Sequence, residues 1–386
     1  MDRASRPYFG FKVAVVTFSV ATFFLQMRHP IPIRFSQLIL VALFLGCGAP
    51  VTRVPTPTPA PTPTVEPSPL PPPTHTREKP LPPIAFPYAA SFAVPAERAI
   101  IANSAGLRAE LRQLKTLGIN IVEQSFTRGS TLYDWRAFLD VAAQEAIYVI
   151  PGLLDAPPTW NGTRFDLGQN EALLRGIQNH PALYAILILD DPFHPKFGGA
   201  FTTDRLQLLY QQIKQIAPNA RVMIKFNRGI LKAEQEKNPR VAFQAGLCDI
   251  CAIGALEFRD YGDGKKFRRD DLLVNHNYSR ALIKRQNPQA QLWTSVQVFG
   301  APVRLANDDS TTYYLPPPGE LQQAIDLILS PDLQAKAKLD GIVWQQWSSD
   351  TVAREPIQFT LRDLEFAAQR DIVKALAKKL GLPTAP

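Results

Sequence analysis

Residues 183–226 contain two strand-like segments separated by a helical one, and this pattern decides the fold. The first segment reads Leu-Tyr-Ala-Ile-Leu-Ile-Leu-Asp (183–190), and the second reads Arg-Val-Met-Ile-Lys-Phe (221–226). Between them, Leu206, Leu209 and Ile213 recur at helical spacing. Strands that are apolar throughout are typical of a parallel sheet, because helices cover both of its faces. The stretch therefore predicts a β-α-β unit in an α/β protein.

The same alternation recurs along the whole chain after Pro83. Eight strands are predicted, at 84–91, 119–126, 147–153, 183–190, 221–226, 250–257, 291–299 and 341–347. Amphipathic helical segments lie between them, and the segment around 233–244 is the least regular. Eight such units in about 300 residues match a single closed (β/α)8 TIM barrel. An open doubly wound sheet is the alternative, but no glycine-rich phosphate loop follows the first strand.

The chain before the barrel begins with features of a secretory leader. An apolar run at 38–45 follows Arg28 and Arg34 and leads into Gly46-Cys47. A short apolar run after basic residues, with a small residue at its end, is typical of a secretory signal. This segment resembles the lipobox of bacterial lipoproteins, which implies that the Cys47 thiol is acylated. The alternative is an N-terminal anchor in which Cys47 has no role.

A proline-rich segment separates this leader from the barrel. Residues 48–83 are dominated by proline and threonine, a composition that favours extended polyproline geometry and reaches roughly 100 Å at about 3.1 Å per residue. The segment is either a spacer through a cell envelope or a disordered linker. We therefore expect a leader at 1–47, with translation starting at Met27, a linker at 48–83 and the barrel at 84–386. This plan places the barrel outside the cytoplasm, anchored by lipid to the membrane or cell surface.

The charge distribution argues against a nucleic-acid partner. The chain has a net charge of +8, but residues 1–83 contribute +5 of it and the remaining 303 residues only +3. A domain of this size with so small a surplus has no evident basic stripe. We expect no nucleic-acid binding.

Two cysteines lie in the barrel region, Cys248 and Cys251. In an extended strand their Cα atoms would be about 10 Å apart, beyond the roughly 7 Å that a disulfide spans. No second pair is present to complete a zinc site. The sequence therefore predicts buried structural thiols, and no cofactor or metal.

Two motifs resemble segments of barrel glycoside hydrolases and their relatives. The first is Asn-His-Pro-Ala-Leu-Tyr-Ala (179–185), which leads into a strand that ends Asp190-Asp191-Pro192. The second joins Trp-Thr-Ser-Val-Gln-Val-Phe-Gly (293–300), Pro-Pro-Pro-Gly-Glu-Leu (316–321) and Gly-Ile-Val-Trp (341–344). The resemblance implies a carbohydrate ligand or substrate and an acid residue at position 191.

The chain departs from that family pattern at two positions. Asp191 stands where the resemblance expects the proton-donating Glu. Gln297 lies near the end of the seventh strand, where retaining hydrolases place a nucleophilic Glu, and an amide is not a competent carboxylate nucleophile. The acid/base pair must therefore come from elsewhere, or be absent.

Active sites of this fold lie at the carboxyl ends of the strands, which selects the candidate residues. The candidate catalytic residues are Asp191, Glu257, Asp190 and Glu123, and the candidate substrate-binding residues are Gln297, Trp344, Gln346, Trp347, Asn227, Lys225 and Tyr313. Asp191 would act as the general acid with Glu257 or Glu123 as its partner. Carboxylates about 5–5.5 Å apart would imply retention of configuration, and about 6.5–9.5 Å would imply inversion.

Each candidate also has a structural interpretation. In this interpretation the Asp190-Asp191 pair caps the strand end, and Glu257 forms an ion pair with Arg259. For Lys225, a salt bridge to a neighbouring carboxylate is favoured over Schiff-base chemistry. The rings of Trp344 and Trp347 fit either sugar stacking or ordinary packing. Three functions remain open: a surface-tethered glycoside hydrolase, a non-catalytic carbohydrate-binding lipoprotein on a degenerate hydrolase barrel, or a metal-dependent hydrolase with the Asp190-Asp191 pair as ligands.

Overall fold

The structure is a computed structural model of the whole chain. It describes residues 81–92, 104–125, 130–153, 158–193, 197, 199–226, 242–255, 258–260, 267–300, 312–345, 347 and 360–384. These residues all belong to one compact unit, Pro73–Pro386. The predicted leader, Cys47 and almost all of the linker lie outside the described residues.

Eight parallel strands form a closed barrel, as the sequence predicts. They are β1 (Tyr88–Phe92), β2 (Ile121–Ser125), β3 (Tyr148–Gly152), β6 (Ala185–Asp190), β7 (Arg221–Phe226), β8 (Ile250–Ala255), β10 (Gln291–Gln297) and β12 (Gly341–Gln345). Each pairs with its neighbours in chain order, and β12 closes the barrel by pairing with β1. Closure leaves no open sheet edge, and the open-sheet alternative is excluded.

Helices connect and cover the strands. Those described are α1 (Ser104–Thr116), α2 (Leu132–Gln144), α3 (Gln169–Ile177), α4 (Thr203–Ile216), α5 (Arg269–Gln286), α6 (Pro318–Ile328), α7 (Pro331–Lys336) and α8 (Ala367–Lys379). The irregular helical segment predicted at 233–244 falls largely outside the described residues. No described helix is long and apolar enough to cross a membrane.

Three short elements were not predicted from the sequence. The helix α7 follows α6 directly. A hairpin of β4 (Thr159–Trp160) and β5 (Phe165–Asp166) lies between β3 and α3. A second small sheet pairs β9 (Arg259–Asp260) with β11 (Thr312–Tyr313). Both sheets belong to segments that follow barrel strands, and so they lie at the carboxyl end of the barrel, where this fold places its sites.

Apolar side chains fill the middle of the barrel. This inner cluster comprises Ala89, Ile121, Ile150, Ala185, Leu187, Met223, Ile250, Ala252, Trp293 and Val343, all fully buried. Trp293 is its largest member, and a Cβ atom on Gly341 would lie only 2.6 Å from its ring. Glycine at 341 therefore makes room for the indole. A second, larger cluster packs the outer face of the strands against the helices.

The segment before β1 closes the amino-terminal end of the barrel. Ile84 packs against the inner cluster, and the Tyr148 hydroxyl donates to the carbonyls of Leu81 and Pro82 at 3.3 and 3.2 Å. The Asn120 side chain also donates to the Phe86 carbonyl at 2.9 Å. The chain thus enters the barrel at the end opposite to the carboxyl ends of the strands.

The cysteine prediction is wrong in one respect. Cys248 and Cys251 are buried as predicted, but they form a disulfide with Cα atoms 5.7 Å apart. The error came from treating both residues as extended. The strand β8 begins only at Ile250, and Cys248 lies in the turn before it, which brings the two Cα atoms within disulfide range.

A buried arginine joins α5 to the ends of the next two helices. Arg280 is fully buried and donates to the Ile328 carbonyl at 2.7 Å, to the Ala337 carbonyl at 3.4 Å and to His276 Nδ1 at 3.2 Å. Burial lowers the pKa of Arg280 to about 10. Burial, and then the charge of Arg280, hold the pKa of His276 well below its usual value, so His276 is neutral in the fold.

The neutral His276 predicts a loss of stability in mild acid. The unfolded state takes up a proton as the pH falls through about 6.5, whereas the folded state resists it, so stability is complete above this pH and declines below it. Between pH 7.5 and 5 this single group should cost about 2 kcal/mol. Urea unfolding at several pH values measures it. In a His276→Gln variant this part of the pH dependence should disappear; an unchanged slope would contradict the assignment.

Candidate functional site

A layer of polar side chains lies above the apolar middle of the barrel, at the carboxyl end. Side chains alternate between the two faces of a strand, so residues two positions after the inner cluster also face the axis. Ser91 lies two residues after Ala89, Glu123 after Ile121, Lys225 after Met223 and Gln345 after Val343. Ser295 follows Trp293 in the same way, and its hydroxyl donates to Gln345 Oε1 at 2.7 Å. We call these five residues the inner polar layer.

A buried ion pair is the centre of this layer. Lys225 Nζ lies 2.5 Å from Glu123 Oε1, and the two side chains are 1% and 2% exposed. The Ser91 hydroxyl donates to the same carboxylate oxygen at 3.2 Å. The salt bridge favoured for Lys225 is thus present. Within the described part of the chain, Glu123 Oε2 is buried and has no hydrogen-bond partner.

Asp190 and Asp191 lie beside this ion pair. The Cα of Asp190 is in register with that of Lys225 on the neighbouring strand, and the backbone N–H of Asp191 donates to the Lys225 carbonyl at 2.8 Å. Asp191 is nearly fully buried and has a φ of 50°. Left-handed backbone is uncommon outside glycine, and it concentrates at functional sites and turns. The turn at the end of β6 is therefore held against Lys225.

The side-chain amide of Gln297 is engaged by backbone carbonyls of the protein. Its Nε2 lies 3.1–3.2 Å from three backbone carbonyl oxygens, those of Phe258, Phe299 and Tyr314. The amide therefore connects three segments at this end of the barrel: the one that follows β8, the one that follows β10 and the one that follows β11. A carboxylate at this position would face three acceptors, which explains in physical terms why glutamine stands here.

Trp344 in the last strand and Trp347 just after it are both packed into the cluster that covers the outer face of the strands. Trp344 is fully buried and meets the Tyr88 ring edge-on, with centroids 5.6 Å apart. Trp347 is also fully buried, and its Nε1 donates to Glu110 on α1 at 3.2 Å. Both placements favour the packing interpretation over sugar stacking.

The remaining candidates divide between packing residues and positions outside the described residues. Tyr313 is largely buried between the Arg259 guanidinium, 5.0 Å from its ring centroid, and Phe299, at 5.4 Å. Glu257, Asn227 and Gln346 lie outside the described residues, so the Glu257 partner role stays a prediction. Among the described residues no group of three or more His, Cys, Asp or Glu side chains is arranged to hold a metal ion.

No protein-family model matches the sequence, and no curated protein matches it. Solved structures do match its fold. They include barrel glycoside hydrolases.

Three of these structures illustrate the range of the match. A β-glucosidase from Thermotoga maritima aligns with a TM-score of 0.49 and 9% identity over 79% of this chain and 100% of its own. A β-galactosidase from Marinomonas ef1 aligns with a TM-score of 0.48 and 11% identity over 78% of this chain and 61% of its own. An endo-1,4-β-mannanase from Rhizomucor miehei aligns with a TM-score of 0.46 and 11% identity over 76% of this chain and 95% of its own. At these values the similarity says nothing about which residues act or on what.

Three residues of the inner polar layer are absent from the sequence-based candidates: Ser91, Ser295 and Gln345. The period of two along each strand was the signal that identifies them, because each follows an inward residue by two positions. The same count assigns Gln345 to the inside of β12 and directs Trp344 outwards.

Proposed function

We propose that the protein is a surface-tethered glycoside hydrolase-like barrel that binds carbohydrate at the carboxyl end of its strands, with Asp191 as general acid. The observation that carries the proposal is the inner polar layer itself. Five strands present hydrogen-bonding side chains to one end of an otherwise apolar barrel, and a buried ion pair lies among them. Barrel enzymes place their chemistry at this end.

The position of Asp191 supports the acid role. The residue is almost enclosed, has a left-handed backbone and follows the strand whose neighbour carries Lys225. General acid catalysis requires a side chain that is held in position, and this enclosed, hydrogen-bonded turn holds Asp191 in place. Glu123 is the partner carboxylate in this proposal, since it lies at the same end of the barrel and forms the buried ion pair with Lys225.

Release of reducing ends from a panel of polysaccharides tests the proposal. We expect Asp191→Asn to lower the rate by at least about 100-fold, because a positioned acid or base contributes roughly 10²–10⁴ in rate. Asp326→Asn is the matched control, since Asp326 is exposed near the end of α6, and it should retain the full rate. Equal activity of the Asp191→Asn variant would remove Asp191 from the mechanism.

A non-catalytic carbohydrate-binding protein is the second candidate. Gln297 favours it, because this amide is engaged with three backbone carbonyls and no carboxylate stands at its position. Oligosaccharide binding by calorimetry without any release of reducing ends would support this function and exclude hydrolysis.

The tether forms part of the proposal. The apolar run before Cys47 and the proline-rich linker support a lipid anchor, and the buried disulfide suits an oxidising compartment outside the cytoplasm. The intact protein should partition with membranes, and a Cys47→Ser variant should be released. A Cys47→Ser protein that stays membrane-bound would contradict acylation of this residue as the anchor.

A further inference from the structure

The β4–β5 hairpin projects from the carboxyl end of the barrel, in the segment that follows β3. Its tip is the turn Asn161–Arg164, in which the Asn161 N–H donates to the Arg164 carbonyl at 3.1 Å. Gly162 has a φ of 107°, a conformation that side chains other than glycine rarely adopt. The hairpin therefore has a defined turn and a defined place at the end of the barrel that carries the inner polar layer.

Two sets of contacts hold this hairpin rigidly. The side chain of Gln212 on α4 accepts from the Phe165 N–H at 3.0 Å and donates to the Phe165 carbonyl at 3.1 Å. The Phe165 ring also stacks on Phe201 at 5.4 Å, and Phe201 meets Phe197 edge-on at 5.1 Å. Phe197 and Phe201 belong to the segment between Asp191 and α4, so the hairpin is fixed to the segment that begins with the candidate acid.

Trp160 is the aromatic side chain that this hairpin presents. Its ring is partly exposed, while Phe165 packs against it at 5.2 Å and the Arg205 guanidinium lies 4.7 Å from its centroid. Arg205 is itself held by a 3.1 Å bond to the Ala200 carbonyl. All five tryptophans lie in the described part of the chain, and the other four are at most 1% exposed. Trp160 is thus the one tryptophan of the chain with appreciable accessible surface.

We propose that Trp160 and Arg205 form an accessory subsite that takes a pyranose ring of a bound polysaccharide, at a distance along the sugar chain from Asp191. This inference rests on the proposed function and assigns it a second point of contact. A rigid aromatic ring offers apolar area to the C–H face of a sugar at little cost in conformational entropy, and a fixed guanidinium offers donors to its hydroxyls. We expect the subsite to serve polymeric ligands, whose sugar chain supplies rings for both Asp191 and the hairpin.

Iodide quenching of tryptophan fluorescence tests the subsite directly on the full chain. Because the other four tryptophans are buried, the iodide-sensitive emission should come from Trp160 and disappear in Trp160→Phe. Cellohexaose, mannohexaose and xylohexaose are the probes, and calorimetry identifies which of them binds. The hexaose that binds should reduce iodide quenching at least twofold at saturation. Trp160→Ala should weaken its binding about tenfold, in keeping with the loss of one stacked ring.

Arg164→Ala is the matched control, since Arg164 is an exposed residue of the same turn; it should bind the hexaose within twofold of the parent chain. Binding of a hexaose with unaltered quenching of Trp160 would overturn the subsite and leave the proposed function standing. Binding of none of the three, together with no hydrolysis of the polysaccharide panel, would overturn both.

Discussion

Lys225→Met should lower the free energy of unfolding by about 3–5 kcal/mol, because it leaves Glu123 buried without its ion-pair partner. The Glu123 side chain is 2% exposed, its Oε1 is bound to Lys225 and Ser91, and no other described residue bonds its second oxygen. Water therefore cannot easily replace the lost ammonium. Urea unfolding of the full chain measures the effect.

Two variants show whether burial is the cause. The exposed pair of Arg175 and Glu171 on α3 has a similar separation of 2.8 Å, yet Arg175→Met should cost less than about 0.5 kcal/mol because surface pairs contribute little. Lys225→Met combined with Glu123→Gln should recover most of the loss, since the lone charge is then gone. A Lys225→Met protein within about 1 kcal/mol of the parent would show that the pair is not buried as described.

Gln297→Glu should also destabilise the fold, by at least about 3 kcal/mol, because a carboxylate would replace a donor that faces three carbonyl oxygens. The substitution introduces a glutamate, the residue type that the sequence resemblance leads us to expect at this position. We nevertheless expect no gain in hydrolysis, since the side chain is fully buried and engaged with the backbone.

Gln297→Met separates the two causes of this loss. It removes the donor without adding a charge and should cost about 1–3 kcal/mol, the usual penalty for leaving buried carbonyls unpaired. The glutamate variant should be clearly less stable than the methionine variant in urea. A stable Gln297→Glu protein that releases reducing ends faster than the parent would contradict this assignment and point to a nucleophile at position 297.

The barrel was predictable because its signal is repeated. Most of the predicted strands are apolar over most of their length, and helical segments lie between them, so errors at single positions do not change the count of units. The strand predicted at 183–190, for example, is observed at Ala185–Asp190. It begins two residues later than predicted and ends at the predicted residue. The β4–β5 hairpin escaped prediction because strands of two residues leave no periodic pattern.

The candidate site was predictable only in part, and the reason is the alternation of side chains. Rim position selects Glu123 and Lys225 from the sequence, and the structure places the two in one ion pair. Sequence order alone does not say which of two adjacent residues faces inwards, and so Trp344 was chosen although it packs outwards, and Gln345 was passed over. The prediction that Cys248 and Cys251 are free thiols is wrong for a related reason. It assumes an extended spacing between them, and the chain before β8 is not extended.

Hydrogen–deuterium exchange with and without the bound hexaose tests most directly whether carbohydrate occupies the carboxyl end of the barrel. The account predicts slower exchange in peptides that carry Glu123, Asp191, Lys225 and the β4–β5 hairpin. It predicts no change in the segment around Ile84, which closes the opposite end. Protection confined to that opposite end, with none at the strand ends, would contradict the account.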